Sequence, residues 1–212
     1  MWILLPGIQA GPAEFRRLLP LLRGEVRALP LPQLVSSDLR EHSAALASTL
    51  PDGAHHFLAA SFGGLLAWGL PAERVRSLTT LGTLPWRTDA AERSGRIGRL
   101  LPLLPGLVYR QTYRARIRQS LTADGADGDV LAAVTLPPAE VLAGRLRAIA
   151  GWQLPPRPPV RATWMWGVTD PWVTWDKAGV EAAGHDAIVL PGGHRPHLSH
   201  PSEVARWLHG SG

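Results

Sequence analysis

Between residues 55 and 70 the chain reads His55-His56-Phe57-Leu58-Ala59-Ala60-Ser61-Phe62-Gly63-Gly64-Leu65-Leu66-Ala67-Trp68-Gly69-Leu70. The first half is a short apolar run without helical spacing, as a buried parallel strand reads. The second half, from Leu65, reads as the start of a buried helix. Between them, Ala59-Ala60-Ser61-Phe62-Gly63 has the form small-x-Ser-x-small, a variant of the Gly-x-Ser-x-Gly elbow that holds a serine on a sharp strand-to-helix turn. Residues two before and two after the serine must be small, because strand and helix backbones pass closely there. The same residues also permit an ordinary serine cap between a strand and a helix. What separates the two readings is whether the rest of the chain supplies partners for Ser61.

Outward from this stretch, strands and helices alternate. Trp2 to Leu5 reads as a strand, and a loop follows from Pro6 to Gly11. Pro12 sits at the first turn of an expected helix to about Leu22. A strand over Glu25 to Leu31 follows, then a helix from Asp38 to Leu50, with Asp38 and Glu41 spaced as a capping box. After the elbow helix, which ends near Pro71, Val75 to Leu81 is a fourth strand. This βαβαβαβ order implies a parallel sheet with right-handed crossovers and helices on both faces. Farther on, Ala162 to Gly167 and Ala187 to Leu190 read as strands, Thr174 to Ala183 as a short helix, and Pro201 to Leu208 as a C-terminal helix. The fold class expected is α/β, a doubly wound, mostly parallel six-stranded sheet.

From about Leu84 to Pro159 the pattern is helical and arginine-rich, with no strand signal. About 75 residues is too long for an ordinary connection. Residues 85–159 therefore read as an inserted helical cap, and 1–84 with 160–212 as the core. Leu154-Pro-Pro-Arg-Pro-Pro159 reads as a stiff return to the sheet.

Composition narrows the function classes. At 212 residues, 45% hydrophobic and 18% charged, the chain is large enough for one domain with a substantial core. It has no cysteine, which excludes disulfides, thiolate metal sites and a cysteine nucleophile. The net charge of +5 comes almost wholly from arginine, since Lys177 is the only lysine. No nucleic-acid-binding signature accompanies it. No apolar run reaches the length of a membrane span. Met1-Trp-Ile-Leu-Leu-Pro-Gly7 lacks the basic start of a secretory signal, so a cytoplasmic location is expected.

An elbow serine needs a base and an orienting acid, supplied from loops after later strands in the order serine, acid, histidine. Asp170 follows the strand ending at Gly167, and His194 follows the one ending at Leu190, within Pro191-Gly-Gly-His-Arg-Pro-His-Leu-Ser-His-Pro201. His194 would take the Ser61 proton and Asp170 would hold the imidazole. The amides of Phe62 and Ile8 would form the oxyanion hole. Asp89 is an alternative acid, and His197 and His200 compete with His194. The spacing His194-x-x-His197-x-x-His200 is too weak a pattern to carry a metal site, with no carboxylate beside it. No metal or cofactor is expected. His200 is expected to cap the last helix, and His55 or His56 to be packed structurally.

Ser61-Phe-Gly-Gly-Leu-Leu-Ala67, Pro71-Ala-Glu-Arg-Val-Arg-Ser-Leu78 and Gly193-His-Arg-Pro-His-Leu-Ser-His-Pro-Ser-Glu203 together resemble the elbow helix, next strand and histidine loop of α/β-hydrolases. Among these the chain is most similar to the pimeloyl-[acyl-carrier protein] methyl ester esterases of biotin synthesis, which carry a helical cap. The resemblance implies an α/β-hydrolase fold lacking the first two strands, with Ser61, Asp170 and His194 as triad and Ile8 and Phe62 as oxyanion residues. Pro6-Gly7 departs from the usual His-Gly, and Ala59-Ala60 from the usual glycine followed by a bulkier residue. The activity implied is carboxylic ester hydrolysis through an acyl-enzyme. A thioesterase, a C–C hydrolase, a haloperoxidase-like enzyme and a non-catalytic binding protein are the alternatives.

Substrate information should lie in the cap. Arg110, Arg114, Arg116 and Arg118, with Tyr109 and Tyr113, form a basic, partly aromatic helix. They are candidates to receive a substrate carboxylate or an acidic acyl-carrier protein, against the plainer reading of a solvated helix face. Trp172 is a candidate wall of an acyl pocket, whereas Trp164 and Trp166 read as core.

Overall fold

The computed structural model describes residues 1–9, 11–83, 89–104, 106–152, 160–174 and 176–210. Six strands, β1 (Trp2–Leu5), β2 (Val26–Ala28), β3 (His55–Ala60), β4 (Val75–Leu81), β5 (Ala162–Gly167) and β6 (Asp186–Leu190), form one sheet in the order β2-β1-β3-β4-β5-β6. All five pairings are parallel.

Period-two alternation decides which side chain faces which layer. Ile3, Leu5, Phe57, Ala59, Ala162, Trp164 and Trp166 point to one face. There they meet helices α1 (Leu39–Ala47) and α2 (Phe62–Trp68) through Leu46, Phe62, Leu65 and Leu66. Leu4, Leu58, Ala60 and Met165 point to the other face and pack on Phe15, Leu18, Val204 and Ala205. Both faces are covered, so the middle of the sheet carries apolar residues on both sides, as in Ile3–Leu5 and Phe57–Ala60. Trp164 and Trp166 are core, stacked with ring centroids 6.0 Å apart.

Chain order in the sheet reverses beside β1. The chain runs outward from β1 to β2, returns to β3 on the other side of β1, and continues to β6. The C-terminal ends of β1 and β3 are neighbours, with Leu5 paired to Ala59. That switch point is where a parallel sheet opens a crevice.

Two local expectations are corrected. The helix expected from Pro12 to Leu22 is two 3-10 turns, Pro12–Phe15 and Leu19–Leu21. Pro20 cannot donate a backbone hydrogen bond, and its ring disfavours a continuous α-helix through Leu18–Leu22. His200 does not cap the last helix with its ring, because Nδ1 bonds the Ser199 hydroxyl at 2.9 Å. Its carbonyl instead accepts from the amides of Glu203 and Val204.

Between β4 and β5 lie α3 (Asp89–Leu100), a 3-10 turn at Leu101–Leu103, α4 (Gly106–Ala123), α5 (Gly128–Ala133) and α6 (Ala139–Ala150). Asp127 caps α5 by accepting from the Val130 amide at 3.0 Å. α3 packs on α6. α6 is shared with the core, since Ala148 and Ile149 belong to the main apolar cluster. The proline-rich return at 154–159 and Trp175 lie outside the described residues. After β5 come α7 (Lys177–Ala182), capped by the Asp176 carboxylate, then β6, α8 (Pro196–Ser199) and α9 (Pro201–Gly210). No helix among the described residues is long and apolar enough to cross a membrane.

Candidate active site

Ser61 is the one described non-glycine residue with positive φ, at φ 48° and ψ −115°. Such a backbone persists only where its surroundings over-determine it. Here they do. The Ser61 amide donates to the Leu81 carbonyl at 2.7 Å, and the Ser61 carbonyl accepts from Gly64 N–H and the Thr83 hydroxyl, at 3.0 and 3.1 Å. Thr83 is in turn held by Trp166, whose indole N–H donates to its carbonyl at 3.1 Å. Gly63 shows why the elbow needs small residues. A Cβ there would stand 2.6 Å from the Pro6 carbonyl oxygen and 2.9 Å from that of Leu5.

Above the sheet edge the Ser61 hydroxyl lies 3.1 Å from His194 Nε2, and His194 Nδ1 lies 2.8 Å from Asp170 Oδ2. The Asp170 side chain is fully buried and that of His194 is 9% exposed. Asp170 is also a turn former, because its Oδ1 accepts from the amides of Trp172 and Val173 at 2.7 and 3.0 Å. Each carboxylate oxygen therefore has a fixed task, one holding the loop and the other the ring. With Nδ1–H donating to Asp170, Nε2 is left to accept the serine proton. Gly167 lets the histidine loop close over β5, since any Cβ there would strike the carbonyls of Gly192 and Gly193. The side chain of Asp89 lies outside the described residues.

The loop after β1 carries Ile8 to the same edge, and three side chains fix it. Glu14 Oε1 accepts from the Gly7 amide at 2.7 Å. Arg145 of α6 donates to the Ile8 carbonyl at 3.0 Å and to the Pro32 carbonyl at 2.9 Å. Gln9 donates to the hydroxyl of Tyr113 on α4. Glu14 has no exposed surface. Burial pushes its carboxyl up to about 7, opposed by the positive charge of Arg195. His197 stacks on Phe15 and lies 3.9 Å from Glu14. Burial, reinforced by Arg195, pushes its imidazole down to about 3, so it stays neutral. Arg195 is paired with Asp124 and bonded to Ser120. The three histidines of the 194–200 run thus serve three different neighbours. Among the described residues no group of three metal-binding side chains comes together.

A cavity of about 270 Å³ opens above Ser61 and His194, roofed by α3, α4 and α6. Its walls are mainly aliphatic and aromatic, with Ile97, Leu101, Leu104, Ile117, Leu146 and Ile149 among them. Of the side chains singled out from the sequence as candidates for the substrate, Tyr109, Tyr113, Arg116 and Trp172 line it. Tyr109 is fixed by donating its hydroxyl to the Pro137 carbonyl at 2.7 Å. Arg110, Arg114 and Arg118 do not line the cavity and are exposed. Their four-residue spacing places them on one stripe of α4, while Tyr109, Thr112, Tyr113, Arg116, Ile117 and Ser120 form the stripe toward the cavity. Arg116, not its three neighbours, is the arginine that α4 contributes to the cavity wall, beside Arg195 of the histidine loop.

Residues 2–207 match the family model described as "Alpha/beta hydrolase family". The chain belongs to the alpha/beta hydrolase family. No curated protein matches it by sequence. Among solved structures, a thermophilic esterase from Thermogutta terrifontis superposes with a TM-score of 0.72 at 16% identity, covering 99% of this chain and 88% of that one. The enol-lactonase from Burkholderia xenovorans LB400 gives 0.72 at 17%, covering 99% and 90%. A thioesterase domain from the curacin biosynthetic pathway gives 0.69 at 16%, covering 98% and 90%. At these identities the likeness is one of fold, and alpha/beta hydrolases with different acyl chemistry share it.

Glu14, Thr83 and Arg145 were not expected from the sequence. Only Glu14 left a trace there, as a carboxylate one residue before a core phenylalanine in the loop after β1.

Proposed function

We propose that this alpha/beta hydrolase cleaves a carboxylic ester through an acyl-enzyme, with Ser61 as nucleophile, His194 as base and acid, and Asp170 as orienting acid. The observation that carries the reading is the unbroken chain from a strained serine to a buried carboxylate, at 3.1 and 2.8 Å. His194 Nε2 takes the hydroxyl proton as Ser61 Oγ bonds to the ester carbon. The carbonyl oxygen becomes an oxyanion held by the amides of Ile8 and Phe62. Collapse of that intermediate breaks the bond to the alkoxy oxygen, which leaves as alcohol with the proton from His194. Water, deprotonated by the same ring, then releases the acid and restores Ser61. The apolar cavity favours an alkyl or aryl acyl group over a highly polar one.

A fluorophosphonate probe tests the nucleophile. Wild-type protein should label, and Ser61→Ala should not; equal labelling of both would remove Ser61 from the role. The finer resemblance to carrier-protein methyl esterases, in the cytoplasm, is supported only by the sequence likeness and the outward stripe of Arg110, Arg114 and Arg118. A panel of p-nitrophenyl esters of graded acyl length, run beside a carrier-bound methyl ester and a thioester, ranks these substrates. Faster turnover of the thioester than of every oxygen ester would overturn the esterase assignment within the family.

A further inference from the structure

The turn between α3 and α4 is unusual for a protein surface. Six of the eleven large apolar side chains exposed among the described residues fall between Ile97 and Val108: Leu103 is 76% exposed, Leu107 69% and Leu100 63%, with Val108, Leu104 and Ile97 above 40%. Exposed apolar side chains gathered in one short segment mark an interaction site. Its charge setting is equally one-sided. From Arg93 to Ala123 the chain carries seven arginines and no aspartate or glutamate, and no charged residue stands between Arg99 and Arg110. Arg99 and Arg110 therefore bracket the apolar turn, and Arg96, Arg114 and Arg118 are exposed behind it.

We propose that this turn docks on an anionic phospholipid bilayer, inserting Leu100, Leu103 and Leu107 while the flanking arginines contact the headgroup phosphates. An apolar tip with arginines at its base is the arrangement that lets aliphatic side chains enter the acyl boundary and guanidinium groups remain at headgroup depth. A second copy of the chain is a poor occupant. A symmetric pairing of this surface with itself would set the arginines of one copy chiefly against those of the other. An acidic carrier protein would answer the arginines but leaves the most exposed leucines unexplained.

The position of the turn relates docking to substrate. Ile97, Leu101 and Leu104 line the cavity above Ser61, while Leu100, Leu103 and Leu107 do not line it and are open to solvent. One short segment thus has a cavity side and a solvent side. An ester dissolved in the bilayer would then enter the cavity beside this segment. The substrate class this assigns is an amphiphilic ester with a long acyl chain, and that half of the proposal rests on the hydrolase reading above.

Co-sedimentation with vesicles tests it. Full-length protein is mixed with vesicles of phosphatidylglycerol and phosphatidylcholine in equal parts, and with vesicles of phosphatidylcholine alone. Binding at least tenfold tighter to the anionic vesicles, weakening with added salt, is the expected result. The double variant Leu103→Asp/Leu107→Asp should lose tenfold or more of that binding yet keep wild-type turnover of p-nitrophenyl acetate, which also reports that it is folded. Wild-type protein left in the supernatant, a variant that sediments like wild type, or tight binding to an acidic carrier protein without vesicle binding each overturns docking. Ser61→Ala separates the two readings. It should bind anionic vesicles as wild type does while turning over nothing, so a failure of hydrolysis and a failure of docking appear in different measurements.

Discussion

Asp170 shows how much work one side chain can carry. Its two oxygens are shared between the loop amides of Trp172 and Val173 and the ring of His194. Asp170→Asn keeps the carbonyl oxygen for the loop but offers the ring an N–H where it needs an acceptor. The histidine then carries its proton on Nε2 and cannot take one from Ser61. The expected result is a fall in kcat of roughly a thousandfold to ten-thousandfold with little change in KM and an unchanged melting profile. A loss below tenfold would mean that another acid orients the ring. Glu14 makes a different point, about pH. A carboxyl held near 7 in the folded protein binds its proton more tightly than at its ordinary value of 4.5, so its contribution to stability falls as pH rises from about 4.5 to about 7. His197, held near 3, acts the other way: stability is lost as pH falls from about 6.5 toward 3. Between 4.5 and 6.5 the two slopes oppose each other. Glu14→Gln removes only the first and keeps an acceptor for Gly7. Its stability relative to wild type, followed by denaturant titration at several pH values, should rise between pH 5 and pH 8 by on the order of 3 kcal/mol. A constant offset would show that Glu14 does not titrate there.

At the scale of elements, α6 joins the roof of the cavity to the floor of the sheet. Arg145 is 3% exposed and spends its guanidinium on the carbonyls of Ile8 and Pro32, at the ends of the loops that follow β1 and β2. Burial pulls its pKa down to about 10, which still leaves it charged at neutral pH. Arg145→Met keeps much of the stem's packing but leaves those carbonyls without a donor. The expected cost is about 3 kcal/mol of stability, with a fall in kcat larger than any rise in KM, because the Ile8 amide loses its support. Unchanged kcat at a lowered melting temperature would make the residue purely structural. The elements also show where sequence reading reaches. β4 and β5 were legible to the residue, because β-branched and aromatic residues ending at a glycine, Gly82 after β4 and Gly167 in β5, leave little choice. The helix expected over residues 12–22 was not, since a single proline inside an otherwise helical pattern decides the outcome locally. In α4 the arginines are spread around the helix, so periodicity alone could not say which stripe meets the cavity.

For the molecule as a whole, the fold was legible because the alternation of strands and helices recurs across both ends of the chain. Each repetition excludes the same alternatives. Candidate site residues were legible where topology forces a position: Ser61, Asp170 and His194 all follow strands of one sheet at one edge. Glu14 and Arg145 were not, because nothing local distinguishes a buried charge from a solvated one; burial is decided by segments far off in the chain, 137 positions away for Arg145 and Ile8. The same holds for the apolar turn after α3, whose leucines read equally well as core until their exposure is known.

The contact between Arg145 and Ile8 bears on how such proteins can be recombined. Relatives of this fold are natural donors for grafting, and the segment between β4 and β5 looks like the part to exchange. Here that segment owns a side chain belonging, in effect, to the opposite end of the chain. A graft that brings new cavity walls without an arginine at this place would leave the turn after β1 unsupported, however well its own helices packed. Exchange therefore has to proceed in matched pairs, roof and β1 turn together, and the boundary of an exchangeable unit lies inside the folded body rather than at the ends of the segment between β4 and β5.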